Sequence, residues 1–443
     1  MKSLRLPLIV ALALAVALPV VNAPTPAQAA SAKVAPGQLR ALTTKQISHR
    51  LSGEVYGFLP YWLETSGTAG SLRYDLLSTV SLFDIGLTPR GSVDKTWPGY
   101  RTLMSPASTA VITAAHAAGD RVDVTLASFG YADNRAFLRN SHEQRRAIAQ
   151  VVALVIARGL DGVTVDFESV YRRDLPDLGR FVDALGRAIR AHNPIGRVTV
   201  AVGASQAGVA MAAAALAGHA DRVLIMGYDY RGSRSTTTGS TDPLVRADGG
   251  MSLTWSLDLF TAARLPMNRI LLALPYYGMS WPTKSKGPGS APAKAAYQKA
   301  PAYPIRLSKI SVAKGARHGY DTIEATAWVA TYDAHLHVWR ITYFDNARSL
   351  TTKYNLAKGR GLAGIGIWAL GYDAGSAANW QAIATVYRPA PKPAKPPKTV
   401  KKVVHKKTPK TVQVPKAKHT LTVPKHSLPA GPAPTRKPGP TAV

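Results

Sequence analysis

The chain has 443 residues, 55 Lys+Arg against 25 Asp+Glu, a net charge of +30 and no cysteine. Apolar residues make up 46% of it, enough for a large core, which excludes a wholly disordered chain. The lack of Cys excludes a disulfide framework, a thiolate nucleophile and a Cys-ligated zinc.

Residues 1–29 read as a secretory signal peptide. Lys2 and Arg5 form a basic start, and an apolar stretch follows at about 6–21. Ala27-Gln28-Ala29 then supplies a small-x-small cleavage pattern. A retained membrane anchor is the competing reading, but the stretch is short and carries Pro7 and Pro19. No other run is long and apolar enough to span a bilayer, so an exported protein, extracellular or wall-associated, is expected. Residues 30–50 read as a linker.

From 51 to 387 short β-rich runs alternate with Ala-rich amphipathic stretches. Strands are predicted at 55–60, 79–86, 122–128, 162–167, 198–202, 222–226, 270–274 and 364–369. Helices are predicted between most of them, for example at 105–118, 142–158, 176–192 and 252–263. Alternating βα units require crossovers and hence a parallel sheet. Eight such units predict an α/β fold, a closed (β/α)8 TIM barrel. An open doubly wound sheet is the alternative, but no Gly-x-Gly-x-x-Gly follows the first strand. The segment of about 279–361 is too long for one crossover helix. Its strand-like pieces at 326–332 and 337–344 predict a small α+β insertion between the seventh and eighth barrel strands. Active sites in such barrels lie at the C-terminal strand ends.

The strongest chemical signal is Asp161-Gly162-Val163-Thr164-Val165-Asp166-Phe167-Glu168, on the fourth strand. Side chains alternate faces along a strand. Val163, Val165 and Phe167 therefore face the helices, and Thr164, Asp166 and Glu168 face the barrel interior. Two inward carboxylates two residues apart cannot both ionise easily, so at least one pKa is expected to rise. A Glu raised in this way can act as a general acid. A buried, satisfied carboxylate pair is the plainer reading of the same residues.

This octapeptide resembles the signature of glycoside hydrolase family 18, the chitinase-like family. Other segments match in order: Tyr56-Gly57-Phe58-Leu59-Pro60-Tyr61-Trp62, Ser128-Phe129-Gly130, Met226-Gly227-Tyr228-Asp229-Tyr230, Leu274-Pro275-Tyr276-Tyr277-Gly278 and Gly366-Ile367-Trp368-Ala369. Val338-Trp339 and Phe344-Asp345-Asn346-Ala347-Arg348 are similar to the branch of spore-cortex and germination glucosaminidases. The resemblance implies a secreted hydrolase of β-1,4 links after N-acetylglucosamine, in chitin or peptidoglycan. It implies Glu168, Asp166 and Tyr228 as the catalytic residues, and a substrate-binding set of Trp368, Asp229, Thr164, Tyr61 and Tyr276. Trp62, Tyr277, Trp281 and Trp339 are further aromatics that line a cleft or pack. The family pattern has an Asp where this chain has Thr164, which removes one like charge from beside Asp166 and predicts a changed pH profile.

Residues 388–443 hold 14 Lys and Arg and no Asp or Glu, with repeated Pro. This composition predicts a disordered basic tail suited to an anionic wall polymer or to a solvated spacer. No aromatic-interleaved nucleic-acid module is present, so no nucleic-acid partner is expected. His116, His318, His335 and His337 form no recognisable ligand set, so neither metal nor cofactor is expected. Nothing indicates more than a monomer. A non-catalytic carbohydrate-binding protein of the cell envelope is the alternative to the enzyme.

Overall fold

The computed structural model describes residues 39–88, 90–231, 235–293, 300–302, 312–373 and 375–389. The signal peptide and all of the basic tail beyond Pro389 lie outside the described residues.

Eight parallel strands close a barrel: β1 (Glu54–Pro60), β2 (Thr79–Gly86), β3 (Arg121–Phe129), β4 (Gly162–Glu168), β5 (Arg197–Gly203), β6 (Arg222–Met226), β7 (Ile270–Pro275) and β13 (Gly364–Trp368). Their order is β1-β13-β7-β6-β5-β4-β3-β2, with β1 paired to both β2 and β13. The fold is the predicted (β/α)8 barrel.

The intervening helices form where cap chemistry and apolar periodicity coincide. Asn140 opens the helix Ser141–Arg158 by accepting the backbone N–H groups of His142 and Glu143, and Gly159 closes it at φ 62°. A side chain at 159 would be strained at that φ and would meet the backbone of Leu39 and Arg40. The alternation read on β4 is the one observed. Val163, Val165 and Phe167 are buried against the helices, with Phe167 stacked on Phe181 at 5.6 Å. Inside the barrel, Tyr56, Phe58, Phe83, Leu224, Leu271 and Ala273 form a separate apolar cluster.

The insertion after β7 is an antiparallel sheet of order β10-β11-β12-β8-β9. Its members are β8 (Gly278–Thr283), β9 (Ala300–Ala302), β10 (Arg317–Asp321), β11 (Thr326–Asp333) and β12 (Val338–Phe344). It ends earlier than 361. The helix Ala347–Gly359 packs against β13 and the last helix, Ala377–Tyr387, so it belongs to the barrel shell. Buried ion pairs tie the long loop after β6 to this region. Arg231 pairs with Glu324, and Lys353 Nζ lies 2.7 Å from both Asp242 Oδ2 and Asp345 Oδ1. Among the described residues no helix is long and apolar enough to cross a membrane.

Candidate active site

The C-terminal end of β4 brings the two carboxylates to the barrel mouth. Asp166 is buried, and Glu168 stands at the rim, where Asn134 Nδ2 donates to its backbone carbonyl. Burial, then the charges of Glu168 and Asp84, push Asp166 up to about 8. Burial, then the charge of Asp229, raises Glu168 as well. Both acids therefore hold their protons to higher pH than a solvated carboxyl does. Asp166 Oδ1 is buried and has no hydrogen-bond partner among the described residues. Such an acceptor is costly unless something else in the working site donates to it.

The loop after β6 supplies the facing wall. Burial, then the charges of Asp166, Glu168 and Asp229, raises the Tyr228 phenol well above the usual range. The hydroxyl therefore stays a donor at any physiological pH. Asp229 adopts a left-handed φ of 56°. Thr241 holds it there: its hydroxyl accepts from Asp229 N at 3.0 Å and donates to Asp229 Oδ1 at 3.0 Å. Tyr277 donates to the same Oδ1 at 2.8 Å.

Trp368 ends β13 half-buried beside Phe83 at 4.7 Å, Phe58 at 5.6 Å and Trp62 at 6.4 Å between ring centroids. Trp62 is exposed and meets Tyr61 edge-on at 4.9 Å. The aromatic residues thus form a patch across the ends of β1, β2 and β13. Two cavities open near the C-terminal strand ends, the first on Glu168 and the second on Asp84. One of about 400 Å³ borders Glu168, Tyr131, Arg172, Gln206 and Met226. The other, of about 190 Å³, borders Asp84, Trp97, Phe129 and Asp133.

Glu168, Asp166, Tyr228, Asp229 and Trp368 come to one end of the barrel, with Tyr61 at its edge. Thr164 and Tyr276 do not join them as ligand contacts. Thr164 is fully buried one inward position below Asp166, hydrogen-bonded to Tyr56 Oη and, at 3.1 Å, to Ser81 Oγ. Tyr276 is turned toward the helical shell, where its hydroxyl meets Tyr354 Oη at 2.9 Å. Trp281 is buried, with its indole N–H on Gly239 O, and Trp339 packs on Tyr332. Asp84 is the carboxylate that alternation missed. The β2–β3 register slips between Leu82 and Ile85, so the period of two fails there and Asp84 acts on Asp166.

The sequence model described as Glycosyl hydrolases family 18 matches residues 112–373. The chain belongs to that family. It is 24% identical over 280 residues to "Probable chitinase 2" of Drosophila melanogaster, covering 55% of this chain and 54% of that one. It is 26% identical over 165 residues to Nod factor hydrolase protein 1 of Medicago truncatula, covering 34% of this chain and 39% of that one. The chain thus spans about half, or less, of the length of these curated relatives. Among solved structures, the chitinase of Cycas revoluta in complex with (GlcNAc)3 superposes with a TM-score of 0.62 at 20% identity. That superposition covers 75% of this chain and 99% of the cycad one. The Group II chitinase catalytic domain 2 of Ostrinia furnacalis superposes at 0.65 and 17% identity, covering 76% and 96%. At these identities the structural likeness is one of fold.

Proposed function

We propose that the protein is a retaining, substrate-assisted glycosidase that cuts β-1,4 links after N-acetylglucosamine in chitin or peptidoglycan strands. The observation that carries this reading is the buried, unpartnered Asp166 Oδ1 between the raised carboxyl of Glu168 and the hydroxyl of Tyr228. An acetamido group offers one N–H and one carbonyl oxygen. Asp166 accepts the N–H, and Tyr228 donates to the oxygen. The oxygen, so oriented, attacks its own anomeric carbon, and the high effective molarity of that attack replaces an enzyme nucleophile. Glu168 protonates the leaving oxygen, then takes a proton from water arriving on the same face, so the anomeric configuration is retained. Asp229 supports the acetamido pocket through the hydrogen bonds that orient it. Trp368 supplies an apolar floor for the C–H face of the sugar.

Support for a GlcNAc polymer comes from the cycad chitinase, whose structures hold (GlcNAc)3 and allosamidin. Exposed aromatics favour chitin: Trp62 near Trp368, and Phe129 and Tyr131 on the two cavities. The glucosaminidase-like segments at Val338–Phe344 and beyond favour a wall glycan. Export rests on Lys2, Arg5 and the Ala27-Gln28-Ala29 pattern, and retention at an anionic wall rests on the charge of the tail. The test is mass spectrometry of soluble products from chitin oligosaccharides and from purified peptidoglycan, each with a Glu168→Gln control. Products that vanish in the control support the reading, and their reducing ends identify the bond. Binding without products from either substrate would replace it with the non-catalytic carbohydrate-binding protein.

A further inference from the structure

The N-terminal foot of the barrel holds a cluster of arginines that the mouth does not use. β1, β3, β5 and β6 begin with Glu54, Arg121, Arg197 and Arg222. Glu54 accepts from Arg197 Nη1 at 3.0 Å and from Arg222 Nε at 3.1 Å, so one carboxylate serves two guanidinium groups. Arg121 is only 5% exposed. Among the described residues its guanidinium makes one hydrogen bond, to Ile195 O at 2.9 Å, and no salt bridge. Burial and the nearby charge of Arg197 lower its pKa.

The acids around Arg121 are otherwise engaged. Asp161 accepts from Leu42 N and Val122 N and meets His116 Nε2, all within 2.8 Å. Asp123 accepts from Tyr56 Oη at 2.9 Å, and burial pushes its pKa up to about 7. Asp120 is paired with Arg50.

A cavity of about 190 Å³ opens on Arg121, Arg197 and Arg50, with His49, Ser48, Ser52, Ser78 and Thr79 also on its wall; the one carboxylate there, Glu54, is taken up by Arg197 and Arg222. Ser78 Oγ accepts the Val55 N–H at 3.1 Å, which leaves its own hydrogen free to donate. Planar guanidinium forks and hydroxyls around a small polar cavity match a tetrahedral oxyanion, which accepts several charge-assisted bonds at once.

We propose that the foot of the barrel is an oxyanion site that takes a phosphate- or sulfate-sized dianion on Arg121 and Arg197. The same chemistry is carried by free inorganic phosphate and by a terminal phosphate ester. Binding joins β3 to β5 through the anion.

The experiment uses the full-length chain. Phenylglyoxal labelling of Arg121 is followed by peptide mass spectrometry with inorganic phosphate, glycerol phosphate or chloride at matched ionic strength. Phosphate is expected to slow labelling by 1 + [phosphate]/Kd, about ten-fold at nine times Kd, while chloride does not. Slowing by glycerol phosphate as well would assign esters to the site, and slowing by phosphate alone would assign the free ion. In parallel, phosphate at nine times Kd should raise Tm by about 2 °C in the wild type and less in Arg121→Met. The basic tail is the same in both proteins, so its own anion binding cancels. Equal labelling in phosphate and chloride would overturn the proposal, whether or not Arg121→Met folds. An equal Tm rise in the folded variant would overturn it too.

Discussion

The two ends of the barrel gather charge of different kinds and settle it differently. At the mouth Asp84, Asp166, Glu168 and Asp229 gather, and among the described residues none of them forms a salt bridge with Lys or Arg. At the foot three arginines stand with Glu54. Crowded acids relieve repulsion by keeping protons, as Asp166 does with its pKa of about 8. Arginine has no such exit, because it does not deprotonate in a protein. The mouth is therefore a store of protons suited to acid catalysis, and the foot holds fixed positive charges set against Glu54, Asp120, Asp123 and Asp161.

The comparison breaks most sharply at Glu168. Glu168→Gln removes the proton donor, so kcat should fall by about 10²–10⁴-fold with Tm little changed. Tyr228→Phe removes one donor to the developing acetamido charge and should cost about 10²-fold in kcat. The KM-against-kcat split for an oligosaccharide checks it: a change in KM alone would move Tyr228 from chemistry to plain binding. Glu54→Gln should do the reverse. It strands Arg197 and Arg222 and should cost about 1–2 kcal/mol of stability, discounted for partial exposure, with kcat unchanged. Urea unfolding and a single activity assay measure both halves.

Asp166→Asn sharpens the same contrast through pH. A carboxyl whose folded pKa is raised to about 8 binds more protons folded than unfolded once pH exceeds its ordinary value of 3.8. Stability is then lost as pH rises toward 8, and the loss is complete above it. The Asn variant escapes this loss. It should match the wild type near pH 3.5 and exceed it by at least ~1 kcal/mol at pH 9. Parallel stability curves for the two proteins would show that Asp166 titrates normally.

The barrel was legible because buried parallel strands read as short apolar runs between amphipathic stretches. Thr79–Gly86 and Arg222–Met226 carry the predicted bounds. The insertion was read less well. β8 follows Pro275 after only two residues and contains a Pro of its own, Pro282, so it has little strand signal. At the site, the motif residues Asp166, Glu168, Tyr228, Asp229 and Trp368 were legible from pattern. Thr241, Asn134 and Asp84 were not, since each acts by a contact across the fold or from a break in strand alternation. Tyr276 and Tyr277 show the limit of the motif itself. The two neighbours point to opposite sides, one to Tyr354 and the other to Asp229, and no composition rule says which faces in.

The smallest expected effect tests the position where this chain departs from the family pattern. Thr164 sits between the hydroxyls of Tyr56, whose one hydrogen goes to Asp123, and Ser81, which can donate to a carboxylate. An Asp at 164 therefore keeps one donor, Ser81 Oγ, and the fold should persist. Its charge would lie one inward position below Asp166, adding to the push that Asp84 already exerts. Like charge disfavours the ionised form, so the limb of the kcat/KM profile set by Asp166 should move up by about one unit in Thr164→Asp. Turnover at the optimum should change little, because Glu168 and Tyr228 keep their places. Superimposable profiles would mean that burial and the charges of Glu168 and Asp84 already set the proton affinity of Asp166, and that a charge at 164 adds nothing to it.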